Sequence, residues 1–181
     1  NIIYLVGLKF GTAQNPSTTW AINTIVPSRV CERHSQSRIV ALSTGNVYPQ
    51  SEVSRGGSVE SDSLTPLGEY ANAAVGRERI FEFYSCRHET PIALLRLFYA
   101  VELRYGVLAD LARKVHAGEP VALANGAFNC IWQRDANGWD WVSWRDRRIL
   151  ETSITVAGDF SSLGPSVEAC LAAIAGSHEI D

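Results

Sequence analysis

Hydrophobic and polar positions along the chain fall into blocks of two periods. Residues 2–6, IIYLV, form an unbroken apolar run, the pattern of a strand buried on both faces. Residues 17–34 follow with a helical pattern that opens on STTW, where Ser and Thr suit an N-cap; Pro27 inside it marks a break or kink. RIVAL at 38–42 is a second buried strand, stopped abruptly by STGNVYP, and residues 51–65 are a long polar loop of Ser, Gly, Asp and Glu. A helix is predicted from Pro66 to Tyr84, with apolar positions at Val75, Ile80, Phe81 and Tyr84. PIALLRLF at 91–98 is a third buried strand, and 107–117 a short amphipathic helix ending at Gly118. PVAL and AFNCIW are further strands around an Asn125-Gly126 turn.

Strands alternating with helices predict an α/β fold with a parallel sheet. In open sheets of that kind ligands bind in the crevice outside the carboxyl ends of the strands. Ser43, Thr44 and Asn46 fall at such an end. Two readings stand for them at this point, a polar turn with a helix cap or part of a site. Tyr70, at the start of the next predicted helix, brings a phenol that with a strand-end hydroxyl suits proton transfer at one carbonyl or alcohol oxygen. An unperturbed phenol titrates near 10, so the usual aid is a cation one turn on, at i+4; here that position is Ala74. Arg77, seven residues on and about 10 Å along the axis, is expected in a solvent or salt-bridge role, with a partial reach toward Tyr70 as the alternative.

The residues STGNVYP and PLGEYANAAVGRE resemble two motifs of the extended short-chain dehydrogenase/reductases of the nucleotide-sugar epimerase and dehydratase type. Thr44 stands where that family has a Ser or Thr three residues before a Val-Tyr pair, here Val47 and Tyr48. Tyr70 takes the tyrosine position of a Tyr-x-x-x-Lys helix, Ala74 the lysine position, and Glu78 that of a frequent helix glutamate. IIYLVGLKFG is similar to the fourth-strand segment, ALLRLFYAVE to a strand that ends in Asn where this chain has Tyr99, and LADLARKVHAGEPVAL to the helix and strand before the substrate segment. Asp135 with Ala136 is similar to an Asp-Asp-Val-Ala stretch.

The resemblance covers residues 1–137 and implies a partial Rossmann-like, doubly wound parallel sheet with helices on both faces, plus the start of a small substrate-binding region. It implies residues 1–100 as the later part of an NAD(P)-binding domain, 101–137 as a substrate-domain segment, and 138–181 as an unassigned tail. Thr44 and Tyr70 are the implied catalytic residues, and Gly7, Lys9, Asn23, Ser43, Leu97 and Phe98 the implied cofactor-binding ones. The implied cofactor is NAD or NADP, bound by the full-length protein rather than by this segment alone, because the glycine-rich GxxGxxG turn that holds the pyrophosphate is expected upstream of Asn1. The implied partners are a small-molecule substrate of the nucleotide-sugar kind and a second copy in a homodimer. The alternative from another class is a catalytically inactive nucleotide-binding or sensor protein, which Ala74 and Tyr99 favour.

Composition adds limits. The chain has 181 residues, 46% hydrophobic and 19% charged, enough for one sizeable core. A net charge of -3 and a pI near 5.8 provide no basic field for nucleic acid. No apolar run reaches the roughly 18–20 residues of a membrane span, and a cytoplasmic location is expected. Cys31, Cys86, Cys130 and Cys170 form no CxxC pair and His34, His88, His116 and His178 are dispersed, so no metal site is expected. The start at Asn1 within a strand pattern and the absence of Met lead to the expectation of a fragment without its native beginning. GWDWVSWRDRRILETS after residue 137 reads as a Trp-bearing arm, with a reading-frame shift near 138 as the alternative, and SVEACLAAIAG as a short helix.

Overall fold

A computed structural model describes residues 1–122, 129–138 and the strand backbone of 153–156. In chain order the elements are β1 (Ile2–Tyr4), α1 (Pro16–Arg33), β2 (Ile39–Thr44), α2 (Gly68–His88), β3 (Ile92–Leu97), β4 (Tyr99–Val101), α3 (Val107–His116), β5 (Cys130–Trp132) and β6 (Ser153–Val156). Four strands form one sheet in the order β1-β2-β3-β6, every pair parallel. β4 and β5 form a second, two-stranded parallel sheet. A parallel neighbour cannot be reached by a tight hairpin, so each step along the main sheet is made through a long crossover, two of which carry α1 and α2. The result is the α/β parallel architecture that the strand and helix periods predict.

The central strands owe their burial to period two with apolar residues on both faces. On one face Ile39, Ala41, Ile92 and Leu94 pack with Tyr4, Cys31, Phe81 and Tyr84 beneath α1 and α2. On the other, Val40, Ala93 and Leu95 meet Ile131 and Ala136, the latter in a helical stretch at 133–138. The expectation of a strand buried on both faces at 2–6 is corrected. β1 is three residues long; Tyr4 is buried under α1 and α2, Ile3 on the opposite face is exposed, and Leu5 and Val6 lie past the end of the strand and are exposed.

α1 also departs from its predicted boundaries. It begins at Pro16, with Asn15 as N-cap, and Ser17 and Thr18 lie inside its first turn rather than capping it. Pro27 neither breaks the helix nor ends it. Thr19, Asn23, Pro27 and Cys31 recur at i+4 and are all buried, so the proline ring sits in the packed stripe and tertiary contact outweighs its lost backbone hydrogen bond. α2 runs from Gly68 to His88, starting later and ending later than predicted; Arg87 and His88 suit the negative end of its dipole, and Glu89 closes it at φ 53°. The helices are tied by Trp20 Nε1–H donating to Glu69 at 2.7 Å and by Tyr84 Oη donating to Glu32 at 2.8 Å.

The predicted strand PVAL is not one over residues 120–122, and β5 pairs in parallel with β4 instead of closing a hairpin. The Asn125-Gly126 turn, Trp139, Trp141, Trp144, Cys170, His178 and SVEACLAAIAG lie outside the described residues. From the unassigned tail, β6 joins β3 in parallel register from Leu94↔Ser153 to Leu97↔Val156. Among the described residues no helix is long and apolar enough to cross a membrane.

Candidate active site

The carboxyl ends of β1, β2 and β3 bring together most of the residues singled out in the sequence. β2 and β3 are in register to their last residues, Ser43 beside Arg96 and Thr44 beside Leu97. The side chains alternate across the sheet there. Ser43 and Arg96 point to the α2 side and are buried, where the Ser43 hydroxyl donates to Glu78. Arg96 grips the same carboxylate through Nε at 3.1 and 3.2 Å and Nη2 at 2.8 Å, and gives Nη1 to Tyr48 Oη at 2.7 Å.

Glu78 is fully buried and Arg96 is 4% exposed, so this ion pair is stabilising only because its donors and acceptors are so fully used. Burial alone would loosen the Arg96 proton, but the hydrogen bonds and charge of Glu78 hold it above the ordinary arginine range. The network locks α2 onto the two strand ends and onto Tyr48 of the STGNVYP stretch. Sequence reading noticed Glu78 but missed Arg96. The signal was there, since a lone arginine inside the apolar run IALLRL demands a buried partner.

Thr44 is the last residue of β2 and the cap of a 3-10 turn, Gly45–Val47. Its Oγ1 accepts from the Asn46 backbone N–H at 3.3 Å. The cap reading of this stretch therefore holds, and it does not exhaust the hydroxyl, whose own proton is left to donate. Gly45 has to be glycine because a Cβ there would stand 2.5 Å from the Phe98 ring, which lies over the turn from the end of β3. Val47 and Tyr48 then pack on Ala74 of α2, with Val75 and Phe98 at the margin. Ala74 is fully buried in that contact and offers no cation. Tyr70, one turn earlier on α2, is half-buried.

At the end of β1, Gly7 is exposed and Lys9 is exposed, with its Nζ 5.6 Å from the Tyr99 ring centroid and 5.7 Å from that of Phe10. Leu97 and Phe98 are half-buried at the β3 end. Asn23, by contrast, is fully buried, with its Nδ2 donating to the Thr19 carbonyl at 2.8 Å and its Oδ1 accepting from Arg77.

Arg77 itself overturns the expected solvent or salt-bridge role. It is 5% exposed, and its Nη1 donates to Val6 O at 3.2 Å and Asn23 Oδ1 at 3.0 Å. Burial weakens its hold on its proton, opposed first by Tyr70, then by Tyr4 and Glu78. The Tyr4 phenol, in turn, is pushed up to about 12 by burial, and its hydroxyl has no hydrogen-bond partner among the described residues. Among the described residues no group of three His, Cys, Asp or Glu is placed to hold a metal ion.

Of the expected site residues, Gly7, Lys9, Thr44, Leu97 and Phe98 thus stand at three adjacent strand ends, with Tyr70 on the helix packed against them. Ser43 and Asn23 lie behind, holding Glu78 and Arg77 respectively. Residues 2–146 match the NAD dependent epimerase/dehydratase family. Among solved structures, UDP-glucuronic acid 4-epimerase from Bacillus cereus in complex with NAD is similar at TM-score 0.75 and 18% identity, covering 97% of this chain and 60% of that one. RMD from Pseudomonas aeruginosa complexed with NADPH gives 0.79 at 14% identity, covering 99% and 66%. UDP-N-acetylglucosamine 4-epimerase from Methanobrevibacter ruminantium M1, in complex with UDP-N-acetylmuramic acid, gives 0.79 at 18%, covering 100% and 61%. The chain thus spans less than two thirds of the length of each of these three. No curated protein matches the sequence.

Proposed function

The chain belongs to the NAD-dependent epimerase/dehydratase family, and from that premise we propose that it contributes Thr44 and Tyr70, as proton-handling groups, to a nicotinamide-dependent oxidoreductase acting on a nucleotide sugar or a similar hydroxyl or carbonyl substrate. The observation that carries this is the convergence at the strand ends. Thr44 closes β2 while α2, with Tyr70 in its first turns, is packed through Ala74 onto Val47 and Tyr48 of the same stretch.

A nicotinamide dinucleotide, when bound, supplies the hydride acceptor and donor. What supports a fit to its nicotinamide end is the exposed backbone at Gly7, with Lys9 exposed and Leu97 and Phe98 half-buried at the neighbouring strand end; Gly45 is buried beneath the Phe98 ring. Asn23 and Ser43 support this surface from behind. The Thr44 hydroxyl, accepting from the Asn46 N–H, has its proton available for the reacting oxygen and so orients it. The Tyr70 hydroxyl takes the substrate's proton as a carbonyl forms and returns it in the reverse direction.

The test uses the native gene product that contains this chain. NAD(H) and NADP(H) are titrated, and nucleotide sugars are then added while conversion is followed by chromatography and cofactor absorbance. Binding with turnover is expected; binding without turnover rejects the enzyme reading. A homodimer belongs to the same proposal, and sedimentation at the mass of one protomer would remove it.

A further inference from the structure

One buried ion pair holds the chain on both sides of Thr44. Ser43, the residue before it, donates its hydroxyl to Glu78 of α2. Tyr48, at the far end of the turn, accepts at Oη from Arg96 Nη1 at 2.7 Å, while Nε and Nη2 of the same guanidinium close on Glu78. The guanidinium carbon also lies 5.1 Å from the Tyr48 ring centroid, so the phenol is engaged at its ring as well as at its oxygen. Ser43, Tyr48, Glu78 and Arg96 are all buried. Away from water an unmade hydrogen bond is costly, so each member of the network restrains the others.

Thr44 stands between these anchors. Its own bond to the turn is long, with Oγ1 accepting from the Asn46 N–H at 3.3 Å. Backbone bonds give the turn its shape: the Tyr48 N–H donates to the Gly45 carbonyl and the Thr65 N–H to the Val47 carbonyl, both at 3.1 Å. Contact of Val47 and Tyr48 with Ala74 presses the turn against α2, but apolar contact has no direction. Direction comes from the hydroxyls. Ser43 ties the near end of the turn to α2, and Tyr48 ties its far end to β3.

We infer that Tyr48 is a positioning residue for Thr44: its hydroxyl, held by Arg96, fixes the turn so that the Thr44 hydroxyl stays aimed at the oxygen where proton transfer takes place. Tyr48 is buried and acts through Thr44. The inference rests on the reading of Thr44 as a proton-handling group.

Its test is the Thr44 methyl, observed by carbon-13 methyl NMR in the native gene product and assigned by its loss in Thr44→Ser. Tyr48→Phe keeps the ring and removes the hydroxyl. The order parameter of the Thr44 methyl is expected to fall in that variant. The methyls of Thr19 and Thr90, whose hydroxyls donate to the Asn15 and Ser35 carbonyls outside the network, keep theirs. Where the protein turns over, kcat falls about tenfold or more while KM stays close to wild type. Ser43→Ala removes the other anchor and has the same effect, and the same outcomes are read from it should Tyr48→Phe not fold.

A Thr44 methyl as ordered as in wild type overturns the inference. So does a loosening shared by all three methyls, the mark of a purely structural role, or a kcat within twofold of wild type in an active protein. The two proposals fail separately. A Thr44 methyl that loosens alone in a protein without turnover sustains the positioning and removes the enzyme reading. Turnover that needs Tyr70, with Thr44 unmoved by Tyr48→Phe, does the reverse.

Discussion

At the scale of single residues, two kinds of polar group sit at the strand ends and behave in opposite ways. On the reading proposed above Thr44 and Tyr70 are the proton-handling groups, so Tyr70→Phe is expected to remove function rather than structure. Its expected effect is a fall in turnover of at least about 100-fold with cofactor binding and thermal midpoint unchanged; a rate within twofold of wild type takes Tyr70 out of the mechanism. Glu78 and Arg96 are structural, and their burial makes the pair sensitive to removal of one member. Glu78→Ala is expected to cost about 3–5 kcal/mol of unfolding free energy, measured by urea denaturation, because Arg96 is left buried and unpaired. A loss under about 1 kcal/mol would mean that water reaches Arg96 in the folded state.

At the scale of elements, the turn after β2 is shaped by a ring. Phe98 occupies the space that any side chain at residue 45 would take. Gly45→Ala should therefore cost about 1–3 kcal/mol by overpacking, and Phe98→Leu in the same chain should recover part of that loss. Additive effects in that double-mutant cycle would show that the two sites do not touch. Elements were also where sequence reading succeeded and failed for identifiable reasons. β2, α2 and β3 were legible because Ile39–Leu42 and Ile92–Leu95 are apolar on both faces and α2 carries a helical period. Pro27 misled because intrinsic propensity says nothing of the buried i+4 stripe that holds it. The IIYLV run misled because apolar composition does not reveal which face is covered. At the site, Thr44 and Tyr70 were visible through local motifs, whereas the Arg77–Asn23 contact joins positions 54 apart and has no local signature.

At the scale of the whole molecule, the core under α1 and α2 contains two groups that must stay protonated. Burial pushes the Cys31 thiol up to about 11 and the Tyr4 phenol up to about 12. Both folded values exceed those of the unfolded chain, so the folded state holds these protons more tightly. Their contribution is complete below pH 9 and is lost as pH rises through 11 to 12. Stability is expected to fall steadily above pH 9, and Cys31→Ala, though less stable at neutral pH, should show a shallower alkaline decline in its denaturation midpoint. Parallel slopes for the two proteins would assign the alkaline loss to other groups.

Parallel pairing throughout both sheets has a consequence in time as well as in shape. Among the described residues no strand finds its neighbour by a local hairpin; Ile2 meets Ile39, and Ile39 meets Ile92, only after a whole helix-bearing loop has closed. Contacts of such long sequence separation put the entropic cost of folding ahead of its reward, and refolding on the millisecond-to-second scale or slower is the expected outcome. Stopped-flow dilution from urea measures it directly. Helix α2, which carries both Tyr70 and Arg77, lies in the crossover between β2 and β3, so a nascent chain is expected to carry the apolar strand β2 without its partner β3 until α2 and β3 have both been synthesised.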